Sequence, residues 1–98
     1  KYAIAIPMET AEKCYRVIEL ADTLVEKGNP NSVSDAGVAA EMALAGVRGA
    51  CMNVLINLPG IQDEPYRDEK RSAVDDLIKK AESLHQAVYD KTIKVIHD

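Results

Sequence analysis

With 98 residues and 16 acidic against 12 basic side chains, the chain has the size of one domain, a formal charge of −4, and no clustered basic patch to recommend nucleic acid as a partner. The two cysteines, Cys14 and Cys51, show no CxxC or Cys/His ligand spacing, so they read as reduced core thiols of a cytoplasmic protein that holds no metal. No stretch has the pattern of a signal peptide, and Glu41, Arg48 and Asn53 interrupt the most apolar segment, which argues against a membrane partner.

In chain order, Lys1 to Ala5 reads as the tail of an earlier element, and Pro7 as a first-turn residue of a helix. Ala11, Cys14, Tyr15, Ile18, Ala21 and Val25 recur at helical spacing and make one apolar stripe. Glu9 with Lys13 and Glu12 with Arg16 fall four residues apart on its outer face, and Gly28 supplies the left-handed stop.

From Gly28 to Pro59 the chain turns from a polar loop into a long run of small and aliphatic residues, and the rest of the molecule is organised around that run. Ser32 or Ser34 can cap a helix there, with Asp35 three residues beyond Ser32, and Leu58, Pro59 and Gly60 end it. Apolar or small residues cover nearly its whole circumference, the pattern of a buried helix. Its glycines weaken it by about 1 kcal/mol each, and close approach of a neighbouring helix is the return expected for that cost. Ninety-eight residues cannot easily enclose such a helix, so a second copy or a missing segment is expected to cover what remains.

Gln62 or Asp63 can start a third helix, with Pro65 in its first turn and Tyr66, Ala73, Leu77, Ala81, Leu84, Val88 and Val95 as its apolar stripe. Asp75 with Lys79, Asp76 with Lys80, and Asp90 with Lys94 are spaced to pair on its solvated face. The expected architecture is all-α: a bundle of three main helices whose central, small-residue helix is buried and intertwined in a dimer.

Two groups of polar residues can carry chemistry. Asn29, Asn31, Ser32, Ser34 and Asp35 surround the start of the central helix, where free N–H groups attract acceptors; a loop with a cap explains them equally. Asn53 and Asn57 lie near its far end, behind Gly46 and Ala50 on one stripe. Buried amides there would need partners, found either in a neighbouring helix and the helix end or in a planar polar ligand. Ser34 and Asn57 are 23 residues apart, about 34 Å along a helix. One chain cannot close both ends on one small ring, whereas an antiparallel second copy would bring them together. Glu41 and Arg48 share a face and can pair with each other, and Arg48 is the better ligand candidate of the two. His85 and His97 lack a catalytic or metal-binding spacing and read as surface residues.

The run from Gly28 to Leu58 resembles the cyclodeaminase domain of formiminotransferase-cyclodeaminase and the related bacterial methenyltetrahydrofolate cyclohydrolases. The resemblance rests on Gly28-Asn29, Ser34-Asp35, Val38-Ala39-Ala40, Gly49-Ala50 and Asn53-Val54-Leu55-Ile56-Asn57-Leu58, and flanking segments extend it to about Ala81. It implies a helical, cytoplasmic, dimeric domain that holds a tetrahydrofolate derivative as substrate at or near the subunit interface. The implied reaction closes 5-formiminotetrahydrofolate to 5,10-methenyltetrahydrofolate with loss of ammonia, or interconverts methenyl and 10-formyl forms. It further implies Asn29, Asn31, Ser34, Asn53 and Asn57 as substrate-binding residues and Asp35 as the catalytic acid or pterin ligand in the matched segment. Family domains are roughly twice this length, a typical domain size. The acidic residue regarded as their proton acceptor lies in an amino-terminal half missing here, so the chain is expected to be a carboxy-terminal half working with that segment or a second copy. The alternative function is a non-catalytic helical oligomerisation module whose asparagines fix packing register.

Overall fold

A computed structural model describes residues 1–97, which form three long helices joined by short connections. Helix α1 spans Tyr2–Glu26, α2 Pro30–Asn57 and α3 Glu64–His97, with a single 3-10 turn at Leu58–Gly60 after α2. They run up, down and up in a bundle 54 Å long and 16 to 17 Å across. The all-helical, three-helix architecture is as the periodicity predicts.

Several boundaries differ from expectation. Helix α1 starts at Tyr2, so Pro7 sits inside it and removes one backbone donor. Ile4, fully buried, holds the early turn to the core, and the Ile4 and Ala5 amides both donate to the Lys1 carbonyl. Helix α2 starts at Pro30 and is capped by Asn29, whose Oδ1 accepts the Asn31 N–H at 3.0 Å. Ser32 and Ser34 are therefore helical residues, because the Asn29-Pro30 pair already offers a cap and a preset first φ. Gly28 takes the expected left-handed conformation, at φ 69°. Asp63 opens α3 as predicted, its Oδ1 accepting the Tyr66 N–H at 3.1 Å.

The core is aliphatic. Ile4, Ala11, Ile18 and Val25 of α1, Val33, Ala40, Val47, Cys51 and Val54 of α2, and Val74, Ala81 and Val88 of α3 are buried, with Leu58 closing one end. Two α2 glycines let the helices close up: a Cβ at Gly46 would stand 2.6 Å from Cys14 Sγ, and one at Gly37 would stand 2.7 Å from Thr92 Cγ2. Thr92, the buried polar residue of α3, donates its hydroxyl to the Val88 carbonyl at 2.7 Å and turns its methyl to Gly37.

Within the single chain α2 is not buried all round. Val38, Met42, Met52 and Ile56 are 58, 71, 65 and 78% exposed, because α1 and α3 cover only its inner face. By length and composition Pro30–Gly60 could cross a membrane, a test that the core helix of a soluble bundle also passes.

Candidate functional site

The six sequence-predicted site residues fall into two groups at opposite ends of α2. Asn29, Asn31, Ser34 and Asp35 stand exposed at its start, and Asn53 and Asn57 stand exposed at its end. The expectation of buried amides at Asn53 and Asn57 is wrong for the single chain, since α1 runs beside that part of α2 but leaves both side chains exposed. Asn57 Nδ2 donates to the Asn53 carbonyl at 2.7 Å, closing the helix end, and Asn57 Oδ1 and the Asn53 side-chain amide have no hydrogen-bond partner among the described residues. Asp35 makes no side-chain hydrogen bond or ion pair among the described residues.

Asn53 and Asn57 share a groove with Ala3, Ile6, Pro7 and Thr10 of α1 and with Gly46, Gly49 and Ala50 of α2, about 550 Å³ in volume. The groove exists because Gly46, Gly49 and Ala50 lack bulk where α1 runs past. Its wall is apolar and its amides lie at one end, an arrangement suited to a flat ring with polar edges. A larger groove of about 640 Å³ lies between α1 and α3, does not include these asparagines, and is lined in part by Met8, Tyr15 and Leu77. Part of its charged rim is paired: Lys13 with Glu9 at 2.9 Å, Arg16 with Glu19 at 3.4 Å, and Lys80 lies 4.4 Å from the Tyr15 ring centre. The smaller groove is the better candidate because it holds Asn53 and Asn57, two of the residues singled out in the sequence.

Charges between helices pair differently from the expected i,i+4 pattern. Glu41 and Arg48 do not pair with each other, because each reaches across to α3. His85 Nε2 lies 2.8 Å from Glu41 Oε1, and Arg48 Nη2 lies 2.5 Å from Glu82 Oε2. Arg16 takes Glu19 in place of Glu12, Asp90 accepts from Gln86, and Lys80 caps Tyr15 in place of pairing with Asp76. His85 is a correction of another kind: its side chain is only 14% exposed, so it is not a surface histidine. The His85 ring stacks on Tyr89 at 6.4 Å, and its Nε2 is buried in contact with Glu41 without the angle of a good hydrogen bond. No local spacing announces this pair, since 44 residues separate its members. Only the antiparallel pairing of α2 with α3 brings them together.

Burial pushes the Cys51 thiol above its ordinary pKa, and both cysteines are free, in keeping with core thiols. No cluster of three or more His, Cys, Asp or Glu that could hold a metal occurs among the described residues.

The family model described as formiminotransferase-cyclodeaminase matches residues 1–76. The chain belongs to this family. It is 38% identical over 96% of its length to a methenyltetrahydrofolate cyclohydrolase of Methylorubrum extorquens, of which it covers 45%. It is 32% identical over 85% of its length to the formimidoyltransferase-cyclodeaminase of Rattus norvegicus, of which it covers 15%, and 36% identical over 83% to that of Gallus gallus, again covering 15%. The chain thus spans less than half the length of these relatives. All six candidate residues lie within the matched segment.

Proposed function

We propose that this chain forms part of the folate site of a one-carbon enzyme, either a formiminotetrahydrofolate cyclodeaminase or a methenyltetrahydrofolate cyclohydrolase. The observation that carries this reading is 38% identity to a cyclohydrolase across 96% of the chain. The groove of Gly49, Ala50, Asn53 and Asn57 supports it, offering an apolar shelf for a pterin-sized ring and amides for its edge. In the cyclodeaminase direction, N10 of the folate attacks the formimino carbon, the C–N bond to the departing amine breaks, and ammonia leaves after gaining a proton. In the cyclohydrolase direction, water adds to the methenyl carbon and the bond from that carbon to N5 opens, giving the 10-formyl form. Both need one ring system held still and one proton moved. Asp35 is the residue of this set able to move a proton, or to hold the pterin as a carboxylate, with Asn29, Asn31 and Ser34 as polar neighbours. No metal enters this reading. The two free cysteines suit a cytoplasmic location.

The two groups of candidates are too far apart in one chain to touch one small molecule. They serve one ligand only across a boundary with a second copy or with the segment that longer relatives carry. The test is turnover and tetrahydrofolate retention by the complete assembly: Asp35→Asn should lower kcat, and Asn57→Ala should weaken folate binding. Unchanged folate affinity and turnover in both variants would exclude the assignment.

A second reading, a non-catalytic oligomerisation module, draws on the same separation of candidates and on the open apolar face of α2. Under it Asn53→Ala changes assembly and leaves folate binding, if any, untouched.

A further inference from the structure

Two polar pairs join α2 to α3, and they differ in kind. Arg48 and Glu82, both half-exposed, form an ordinary surface ion pair. Glu41 and His85 set an imidazole, the side chain suited to exchanging protons near neutral pH, 2.8 Å from a carboxylate. His85 lies beyond residues 1–76 matched by the family model, so its role has to be read from the packing of this chain.

The two ring nitrogens of His85 have different surroundings. Nε2 is sealed from solvent against Glu41, and the ring stacks on Tyr89. Nδ1 makes no hydrogen bond among the described residues and is not among their sealed polar atoms, so solvent reaches it. A carboxylate at one nitrogen and open space at the other is how a histidine is oriented to give and take a proton. The N–H···O angle is poor, as such contacts commonly are before substrate binds, and Glu41, 52% exposed, has room to turn into line. Glu82, three residues before His85 on α3, is held by Arg48 of α2, and no α1 side chain pairs with the imidazole among the described residues.

The pair also lies on the side of α2 where candidate residues gather. Ser34 is seven residues before Glu41, so the two share a face of α2 about 10 Å apart, with exposed Val38 between them. Gly37 meets Thr92 and Glu41 meets His85, so Tyr89, between those two on α3, is level with the same turns of α2. Val38 and half-exposed Tyr89 thus offer apolar surface between the polar start of α2, at Ser34 and Asp35, and the open nitrogen of His85.

We propose that His85, oriented by Glu41, is the proton-transferring residue of the site at the start of α2, where Ser34 and Asp35 hold the ring. This deepens the folate reading and rests on it for the substrate. In the cyclodeaminase direction, N10 bonds to the formimino carbon and the carbon–amine bond breaks. The N10 hydrogen and one proton from the His85 imidazolium leave with the amine as ammonia, the methenyl product keeps the positive charge, and Nδ1 regains its proton from solvent. In the cyclohydrolase direction, neutral Nδ1 takes a proton from the attacking water as its oxygen bonds to the methenyl carbon. The bond from that carbon to N5 breaks, one of the two water protons ends on N5, and the other goes to solvent. Glu41 stays a carboxylate throughout and stabilises the imidazolium.

The experiment is steady-state turnover of tetrahydrofolate substrates by the complete assembly, with nitrogen-15 spectra of the His85 ring. His85→Gln, which keeps an amide facing Glu41 and cannot pass a proton, should lower kcat by about 100-fold or more, with KM and melting temperature little changed. Glu41→Ala should lower kcat by less and shift the ring proton away from Nε2. Glu82→Gln, which breaks the neighbouring α2–α3 pair, should leave kcat unchanged. A His85→Gln enzyme with parental kcat, or a ring proton on Nδ1 in the parent, would overturn the proposal and leave the folate reading standing. A parent that neither binds nor turns over folate would overturn both. Should His85→Gln unfold, Glu41→Ala, at a half-exposed position, decides by the same split of kcat from KM.

Discussion

Gly46 and Gly49 stand three residues apart on α2, yet different surroundings account for them. At Gly46 the missing Cβ is filled by Cys14 Sγ, so the glycine belongs to the α1–α2 contact. At Gly49 the space is open, on a face where Met52 and Ile56 are 65 and 78% exposed. The same contrast runs the length of the helix: the inner face from Val33 to Val54 is packed, while the outer face from Val38 to Ile56 is equally apolar and bare. Composition counts both faces alike, and only packing tells which has found its partner within the chain.

The largest expected effects lie on the packed side. Ile18 is fully buried, and Ile18→Ala should cost about 3 kcal/mol in urea unfolding, the lost transfer free energy plus the cavity left behind. Ile56→Ala, at a residue 78% exposed, should change single-chain stability by less than about 0.5 kcal/mol in dilute solution. Any loss it shows should grow with protein concentration, as linkage to assembly requires. Equal losses at both positions, independent of concentration, would erase the distinction between the two faces.

The two glycines sharpen it further. Gly46→Ala places a methyl 2.6 Å from Cys14 Sγ and should destabilise by about 1 to 3 kcal/mol, with Cys14→Ala in the same chain recovering part of the loss. Gly49→Ala should stabilise the single chain by about 0.5 to 1 kcal/mol, since the helix gains propensity and nothing is struck. Thermal melts of the three variants at low concentration decide this. A Gly49→Ala chain less stable than its parent would mean that the space is already occupied in solution.

Much of the fold was legible because helices announce themselves by local chemistry. The stripes through Ile18 and Leu77, the stop at Gly28 and the Asp63 start needed only neighbours in sequence, and they came out as read. Pro7 was misread because a first-turn proline and one a turn further in look alike until Ile4 is seen to be buried. Ser32 and Ser34 lost the cap to Asn29, which satisfies the Asn31 amide first. The site was less legible. Asn53 and Asn57 were singled out by position alone, and their burial was inferred from an apolar helix that two neighbours cover on one side only. Glu41–His85 and Arg48–Glu82 join α2 to α3 across tens of residues, and no periodicity within either helix encodes such a pair.

A smaller effect contrasts the two thiols. Cys51 is buried and its thiol is held above the ordinary pKa by burial, whereas Cys14 is partly exposed beside Gly46. Maleimide labelling of the native protein should modify Cys14 first, and Cys51 only at the rate of unfolding. Labelling of both at one rate would show that the α1–α2 seam opens as a unit.

The smallest effect compares the starts of α2 and α3. Asn29 caps α2 with a neutral amide, so its contribution is the same at every pH, whereas Asp63 caps α3 with a carboxylate. The Lys1 ammonium, bound at 2.6 Å, and the Tyr66 N–H hold the Asp63 pKa below its ordinary 3.8. Asp63 holds the Lys1 pKa above 10.5 in turn. A carboxyl whose folded pKa is depressed binds its proton more readily in the unfolded chain, so its stabilising contribution is complete above about pH 4 and is lost as pH falls through the lowered value. For Lys1 the sense is opposite: the contribution is complete below 10.5 and is lost as pH rises through the raised value. Unfolding midpoints measured from pH 2 to 6 should therefore slope less in Asp63→Asn than in the parent, while Asn29→Ala should lower the midpoint by the same amount throughout. Both groups are exposed, so salt should flatten the Asp63 slope, and a slope indifferent to salt would assign the acid limb to carboxylates elsewhere in the bundle.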